Sequence, residues 1–312
     1  MSEILFEELT FPSADGKTLL HGYIWRPDTA ELRGIIQLSH GMCEYVQRYD
    51  AWARRFCAEG FVFCGNDHLG HGQVAADAGN LGYTAPRGGD LFLVEDLHTM
   101  TGIVRERFPG LPVVLYGHSM GSFAARRYLS LYGEELAAAL ISGTAGPEQP
   151  AGVARRLAHL LARMHTNHYR SKFLTSMAFG SYNRKFRSEN DSLSWLSSRA
   201  EVREAYRKDP LCRFVFTMAG NDTLFSLLQF VSRRGWAETV PERLPILLFA
   251  GDMDPVGNYG KGVREVYDRL QSRGCTRTQL KLYAGGRHEM HNEVAADEVF
   301  ADLMRFLGEC GL

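Results

Sequence analysis

Long hydrophobic runs are missing from this 312-residue chain, and no apolar stretch approaches the roughly 20 residues that a membrane-spanning helix needs. A dominant sign of charge is missing as well: the net charge is −1, so no overall field favours nucleic acid. Cysteine is sparse and unpatterned. The six thiols, at 43, 57, 64, 212, 275 and 310, form no C-x-x-C pair. That argues against a disulfide framework or a zinc ribbon and predicts buried or free thiols in a reducing compartment. There is no internal repeat and no low-complexity tract. Residues Met1–Glu8 carry neither a basic n-region nor a long apolar h-region, so no secretory signal is expected and the predicted location is cytoplasmic.

What is present is a series of short apolar runs alternating with amphipathic stretches. Two strand-like runs within 4–26 flank Asp15-Gly16, a turn signal for an antiparallel hairpin. From residue 34 the pattern changes. Strands are predicted at Ile35–Leu38, Phe61–Cys64, Val113–Tyr116, Ala137–Ser142, Ile246–Ala250 and Gln279–Tyr283, and helices near 49–59, 90–108 and 293–307. Strand alternating with helix implies an α/β fold with a mostly parallel central sheet covered on both faces.

Between about 147 and 240 the alternation stops. This stretch has helical periodicity and many large apolar side chains, among them Phe173, Met177, Phe179, Trp195, Phe214, Phe216, Phe225 and Phe230. It also holds 15 Lys and Arg against 8 Asp and Glu. Because the strands resume afterwards, the expectation is a core of 1–146 and 241–312 with a helical cap, 147–240, inserted between two strands. Within it, Val153, Leu157, Leu160, Leu161 and Met164 share one helical face, with Arg155, Arg156, His159 and Arg163 off that stripe. Such a helix can touch an anionic lipid surface; the simpler reading, which is favoured, is a lid helix packed on a pocket.

Gly117-His118-Ser119-Met120-Gly121 follows the run Val113–Tyr116, a G-x-S-x-G in the setting of strand, sharp turn and helix. The turn strains the serine backbone and demands small residues at 117 and 121. A serine hydroxyl is a poor nucleophile unless a histidine takes its proton and a carboxylate orients that histidine. The two partners are sought after later strands. Gly251–Val256 offers Asp254, preferred to Asp252 because Pro255 can fix its direction, leaving Asp252 as a turn-stabilising carboxylate. Gly285–His291 offers His288, directly off the Gly-Gly turn, in preference to His291. The histidines of His-Glu-Met-His stand three apart, not the four of H-E-x-x-H, so no metal is expected there. His68 and His71 are read as loop structure. The oxyanion hole would use the backbone N–H groups of Met120 and of Met42, in Ser39-His40-Gly41-Met42. No cofactor is required.

These residues resemble the α/β-hydrolase superfamily, in the branch of monoacylglycerol lipases and bacterial lysophospholipase-like esterases. The likeness is carried by His40-Gly41-Met42-Cys43-Glu44, Arg48-Tyr49, Asp67–Gln73, Gly117–Gly121, Gly251–Asp254 and His288–His291, and extends through Glu204–Leu211. It implies an α/β-hydrolase fold and places Glu44, Arg48, Tyr206 and His291 around the leaving alcohol. Two positions depart: Tyr45 stands where the family often has histidine, and Val74 where serine is common. Both bear on substrate identity. The expected function is hydrolysis of a carboxylic ester through an acyl-serine intermediate, on a small-molecule ester with a fatty-acyl or aryl group. Monoacylglycerol or lysophospholipid is the substrate the resemblance implies. The alternatives are a ligand sensor on the same fold, an aminopeptidase (disfavoured by the basic cap), a carbon–carbon bond hydrolase or an acyltransferase.

Overall fold

Eight short runs, most of them rich in apolar residues, pair into a single sheet. In a computed structural model, which describes residues 3–147, 152–153, 155–157, 160 and 165–312, the strands are β1 (Ile4–Pro12), β2 (Leu19–Pro27), β3 (Gly34–Ser39), β4 (Phe61–Asn66), β5 (Val113–His118), β6 (Ala138–Ser142), β7 (Ile246–Gly251) and β8 (Thr278–Tyr283). Their order is β1-β2-β4-β3-β5-β6-β7-β8. The β1–β2 hairpin and the β2–β4 pair are antiparallel, and every later pair is parallel. The mostly parallel sheet expected from the alternation is thus what the chain forms.

Both faces of the sheet are covered, which is why its central strands are buried throughout and mostly apolar. Successive side chains point to opposite faces. Ile35, Val113, Leu115, Ile141 and Leu248 pack on one side with α3 (Gly89–Arg107), α4 (Met120–Tyr132) and α8 (Lys261–Ser272). Ile36, Val114, Tyr116, Leu140 and Phe249 pack on the other with α1 (Asp50–Ala58) and α9 (Ala296–Glu309). A short helix, α2 (Gly72–Asp77), follows β4.

Between β6 and β7 the described chain is helical: α5 (Lys172–Phe179), α6 (Ala200–Lys208), α7 (Met218–Ser232) and 3-10 turns. Two of these helices are started by side-chain caps. Ser171 accepts from the Leu174 N–H, and Thr217 from the Gly220 N–H. α7 is not a detached cover: Leu224, Leu227 and Val231 belong to the same apolar cluster as α3 and α4. Of the amphipathic stretch expected at 153–164, His159, Leu161, Arg163 and Met164 lie outside the described residues. Val153 and Leu160 are exposed, while Leu157 packs beside Leu174, Met218 and Phe225.

Candidate active site

The tight turn from β5 into α4 sets the site. Ser119 has φ 54° and ψ −122°, a backbone state that costs a non-glycine residue about 1–3 kcal/mol. The strain persists because its surroundings leave no alternative. The Ser119 N–H donates to the Ser142 carbonyl at 3.0 Å. A Cβ on Gly117 would fall 2.6 Å from that of Ala125, and one on Gly121 would run into the Ser39 and His40 carbonyls. The half-buried Ser119 thereby faces a cavity at the ends of the strands.

Three side chains meet there. The Ser119 hydroxyl lies 2.8 Å from His288 Nε2, and His288 Nδ1 lies 2.9 Å from Asp254 Oδ2. His288 and Asp254 are both buried. Asp254 is aimed by its own turn, its second oxygen accepting the Val256 N–H at 2.9 Å. Asp252 instead accepts the Gly285 N–H at 2.8 Å and braces the loop that carries the histidine. Burial alone would lower the His288 pKa; the charge and hydrogen bond of Asp254 outweigh it, and the imidazole titrates above its ordinary value. The neighbouring His118 is held neutral, far below that value, by burial and by the nearby His288 and His291.

The loop after β3 packs directly on the elbow, since a Cβ on Gly41 would be 3.0 Å from the Ser119 Cβ. Cys43, in the left-handed region at φ 56°, turns the loop so that the Glu44 carboxylate reaches back to the Gly41 N–H. Met42 then lies against the site beside Met120, the first residue of α4, whose N–H has no carbonyl one turn back to bond.

Above Ser119 lies a cavity of about 620 Å³, walled by Phe123, Phe179, Tyr182, Trp195, Leu196, Phe214, Leu224, Phe225, Leu228 and Val256. The Trp195 ring sits 5.1 Å from that of His288. Glu44, Tyr206 and Glu289 also line this cavity. Arg48 and His291 line a smaller, separate one of about 290 Å³, together with Trp52, Arg55 and Arg199. His291 is buried against Tyr49, ring centroids 4.4 Å apart, and neither ring nitrogen has a partner among the described residues. Arg48 stands between the two cavities, bonding Glu44 and Glu289 while its guanidinium lies over the Tyr206 ring. Tyr45, which stands where the family often has histidine, donates to Asp209 at 2.8 Å and so ties the loop after β3 to the end of α6.

The four residues that the resemblance assigns to the leaving alcohol are therefore divided between two cavities, Glu44 and Tyr206 in one and Arg48 and His291 in the other. Glu289 escapes sequence reasoning, and Trp195 is named there only as one of the apolar residues of the cap. Glu289 earns no notice beside His288 because its partner is 241 positions away. His68 and His71 are buried with His40, whose Nε2 accepts the His68 N–H at 2.9 Å. Among the described residues no group of three or more His, Cys, Asp or Glu is placed to hold a metal ion.

A family model described as serine aminopeptidase, S33, matches residues 30–295. The chain is 31% identical over 304 residues to a monoacylglycerol lipase of Mycolicibacterium smegmatis, covering 96% of each. It is 29% identical to the human monoglyceride lipase, across 95% of this chain and 89% of that one. Among solved structures, a highly thermostable carboxyl esterase from Bacillus coagulans in complex with glycerol superposes with a TM-score of 0.93 at 32% identity, covering 98% of this chain and 99% of the other.

Proposed function

The chain belongs to the serine aminopeptidase S33 family of α/β-hydrolases, and from that premise we propose that it is a serine esterase cleaving monoacylglycerols. The observation that carries the reading is the hydrogen-bonded chain from Ser119 through His288 to Asp254 at the foot of an apolar cavity. Ser119 Oγ attacks the ester carbonyl carbon while His288 Nε2 takes the hydroxyl proton. The carbonyl oxygen, now negative, is held by the N–H groups of Met42 and Met120. The tetrahedral intermediate collapses, His288 returns the proton to the leaving alcohol, and water releases the fatty acid by the same steps. Asp254 orients the imidazole throughout.

The acyl chain occupies the apolar cavity. The helical stretch 147–240 acts as a cap over it, anchored to the core through α7. For the leaving glycerol we assign Glu44 and Tyr206 from the main cavity, with Arg48 and His291 behind them. The unpartnered His291 nitrogens support that assignment, since a buried polar group without a bond is costly. An aminopeptidase reading has less support: a substrate ammonium needs an available carboxylate, and Glu44 and Glu289 are both bonded to Arg48. Contact of the cap with lipid surfaces stays a secondary proposal, supported by exposed Val153, Leu160 and Phe173. Six cysteines without a disulfide are in keeping with a reducing, cytoplasmic setting. No helix of the described residues is long and apolar enough to cross a membrane.

The test compares a long-chain monoacylglycerol with the methyl ester of the same fatty acid. Tyr206→Phe and His291→Ala should each lose about 1–3 kcal/mol in kcat/KM on the monoacylglycerol and little on the methyl ester. Equal losses on both would show that these residues support the site without reading glycerol. Failure of the unaltered protein to turn over either ester, or a chromogenic short-chain ester, would favour a ligand sensor.

A further inference from the structure

A buried ion cluster joins two loops that must act together. The Arg48 guanidinium forks onto Glu289, Nη1 to Oε1 at 2.8 Å and Nη2 to Oε2 at 3.1 Å, and Nη1 also reaches Glu44 Oε2 at 2.8 Å. Glu44 Oε1 accepts the Gly41 N–H and the Tyr49 hydroxyl, the latter at 3.1 Å. Glu289 Oε2 accepts from Asn292 at 2.8 Å, and its own N–H donates to the Leu196 carbonyl at 2.9 Å. Side-chain exposure is 11% for Arg48, 3% for Glu44 and 2% for Glu289. Such a cluster is expensive to bury: two carboxylates share one cation, and isolated buried pairs seldom repay their desolvation. An arrangement that gains little stability and links the residue after His288 to the loop of the second oxyanion donor has the hallmark of a positioning device.

We propose that Arg48 and Glu289 are positioning residues, a buried strap that holds the His288 loop in register with the Gly41-Met42 oxyanion loop. The inference rests on the acyl-serine reading above and deepens it. The strap does two things. Its geometry fixes the distance between the base and the oxyanion donor, a relation that two separate loops would otherwise leave loose. The Glu289 carboxylate, kept ionised by Arg48, sits beside the imidazole and stabilises the imidazolium that forms when Ser119 gives up its proton. The groups facing His288 are Asp254 from the loop after β7, Ser119 and His118 from the elbow, Glu44 from the oxyanion loop, and Glu289 and His291 from its own loop. Of these Asp254 and Glu289 carry negative charge toward it; burial raises Glu44 toward its neutral form and holds His118 and His291 neutral.

The experiment is the pH dependence of kcat and kcat/KM on a short-chain chromogenic ester, for the unaltered protein and for Glu289→Gln, Glu289→Asp and Arg48→Lys, with circular dichroism checking the fold. Glu289→Gln removes the charge, so the acid limb, which reports the imidazole, should move down by about half a unit or more. Glu289→Asp keeps the charge and loosens the strap: the limb should stay and kcat fall. Arg48→Lys cannot make the planar fork, so kcat should drop about tenfold with KM little changed. If Glu289→Gln does not fold, Arg48→Lys decides the matter alone. Folded variants with the acid limb and kcat of the unaltered protein would overturn the strap. Failure of the underlying reading is separate: Ser119→Ala would then retain turnover.

Discussion

At the scale of single residues, the site turns on three side chains whose hydrogen bonds run in one line. Ser119→Ala removes only the hydroxyl of a half-buried residue, so the fold should persist while ester turnover falls by about a thousandfold or more. A variant that kept a tenth of normal kcat would sink the assignment of the nucleophile. The two aspartates of the β7 loop invite a sharper comparison. Asp254 bonds His288 and Asp252 bonds a backbone N–H. Asp254→Asn should therefore lose about three powers of ten, because an amide can leave the imidazole in the wrong tautomer. Asp252→Asn should stay within about tenfold, since it weakens one partly exposed turn bond. Steady-state kinetics on one ester ranks the two, and the reverse ranking would move the orienting role to Asp252.

At the scale of elements, the elbow depends on what is missing from glycine. Gly121→Ala would drive a methyl group into the Ser39 and His40 carbonyls, backbone that cannot move without displacing β3 and the loop that follows it. The expected outcome is a loss of stability of about 1–3 kcal/mol by overpacking, with activity lost beyond that. Urea unfolding and ester kinetics measured together check it, and a variant with normal midpoint and normal kcat would show the elbow to be looser than its contacts imply. Elements of this kind are legible in sequence because their causes are local. Apolar runs such as Val113–Tyr116 and Ile246–Ala250 announce buried strands, and the strained serine is announced by its flanking glycines. Two features were not legible. Arg48 and Glu289 meet only after the sheet has brought the loops following β3 and β8 to the carboxyl end of its parallel strands. Periodicity likewise cannot say that α7, in the middle of a stretch read as cap, packs its Leu224, Leu227 and Val231 into the main core. Period 3.6 marks an apolar face without naming what covers it.

At the scale of the whole molecule, the site brings an unusual number of buried histidines with it, and they govern acid stability. His40, His68, His71, His118 and His291 are all depressed below the ordinary imidazole value, chiefly by burial, with His68 near about 3 and His71 and His291 near about 4. Each is neutral in the folded protein at pH 5, whereas in the unfolded chain, with a pKa of about 6.5, each would carry a proton. Unfolding at that pH therefore takes up protons at five sites. Asp67 and Asp96, both pushed by burial to about 7, oppose this, as does Glu44, raised by burial against the pull of Arg48. Those three carboxyls hold protons when folded and release them when the chain opens. His288, whose folded value is raised, is protonated in both states near pH 5 and drops out. The balance is roughly two protons gained on unfolding, so stability should fall by about 2–3 kcal/mol for each pH unit below about 6. Thermal unfolding followed at pH 7 and pH 5 in buffers of equal ionic strength should give a midpoint several degrees lower at pH 5. A midpoint that held or rose would mean that these buried histidines find protons or partners in the folded state, and that their burial does not keep them neutral.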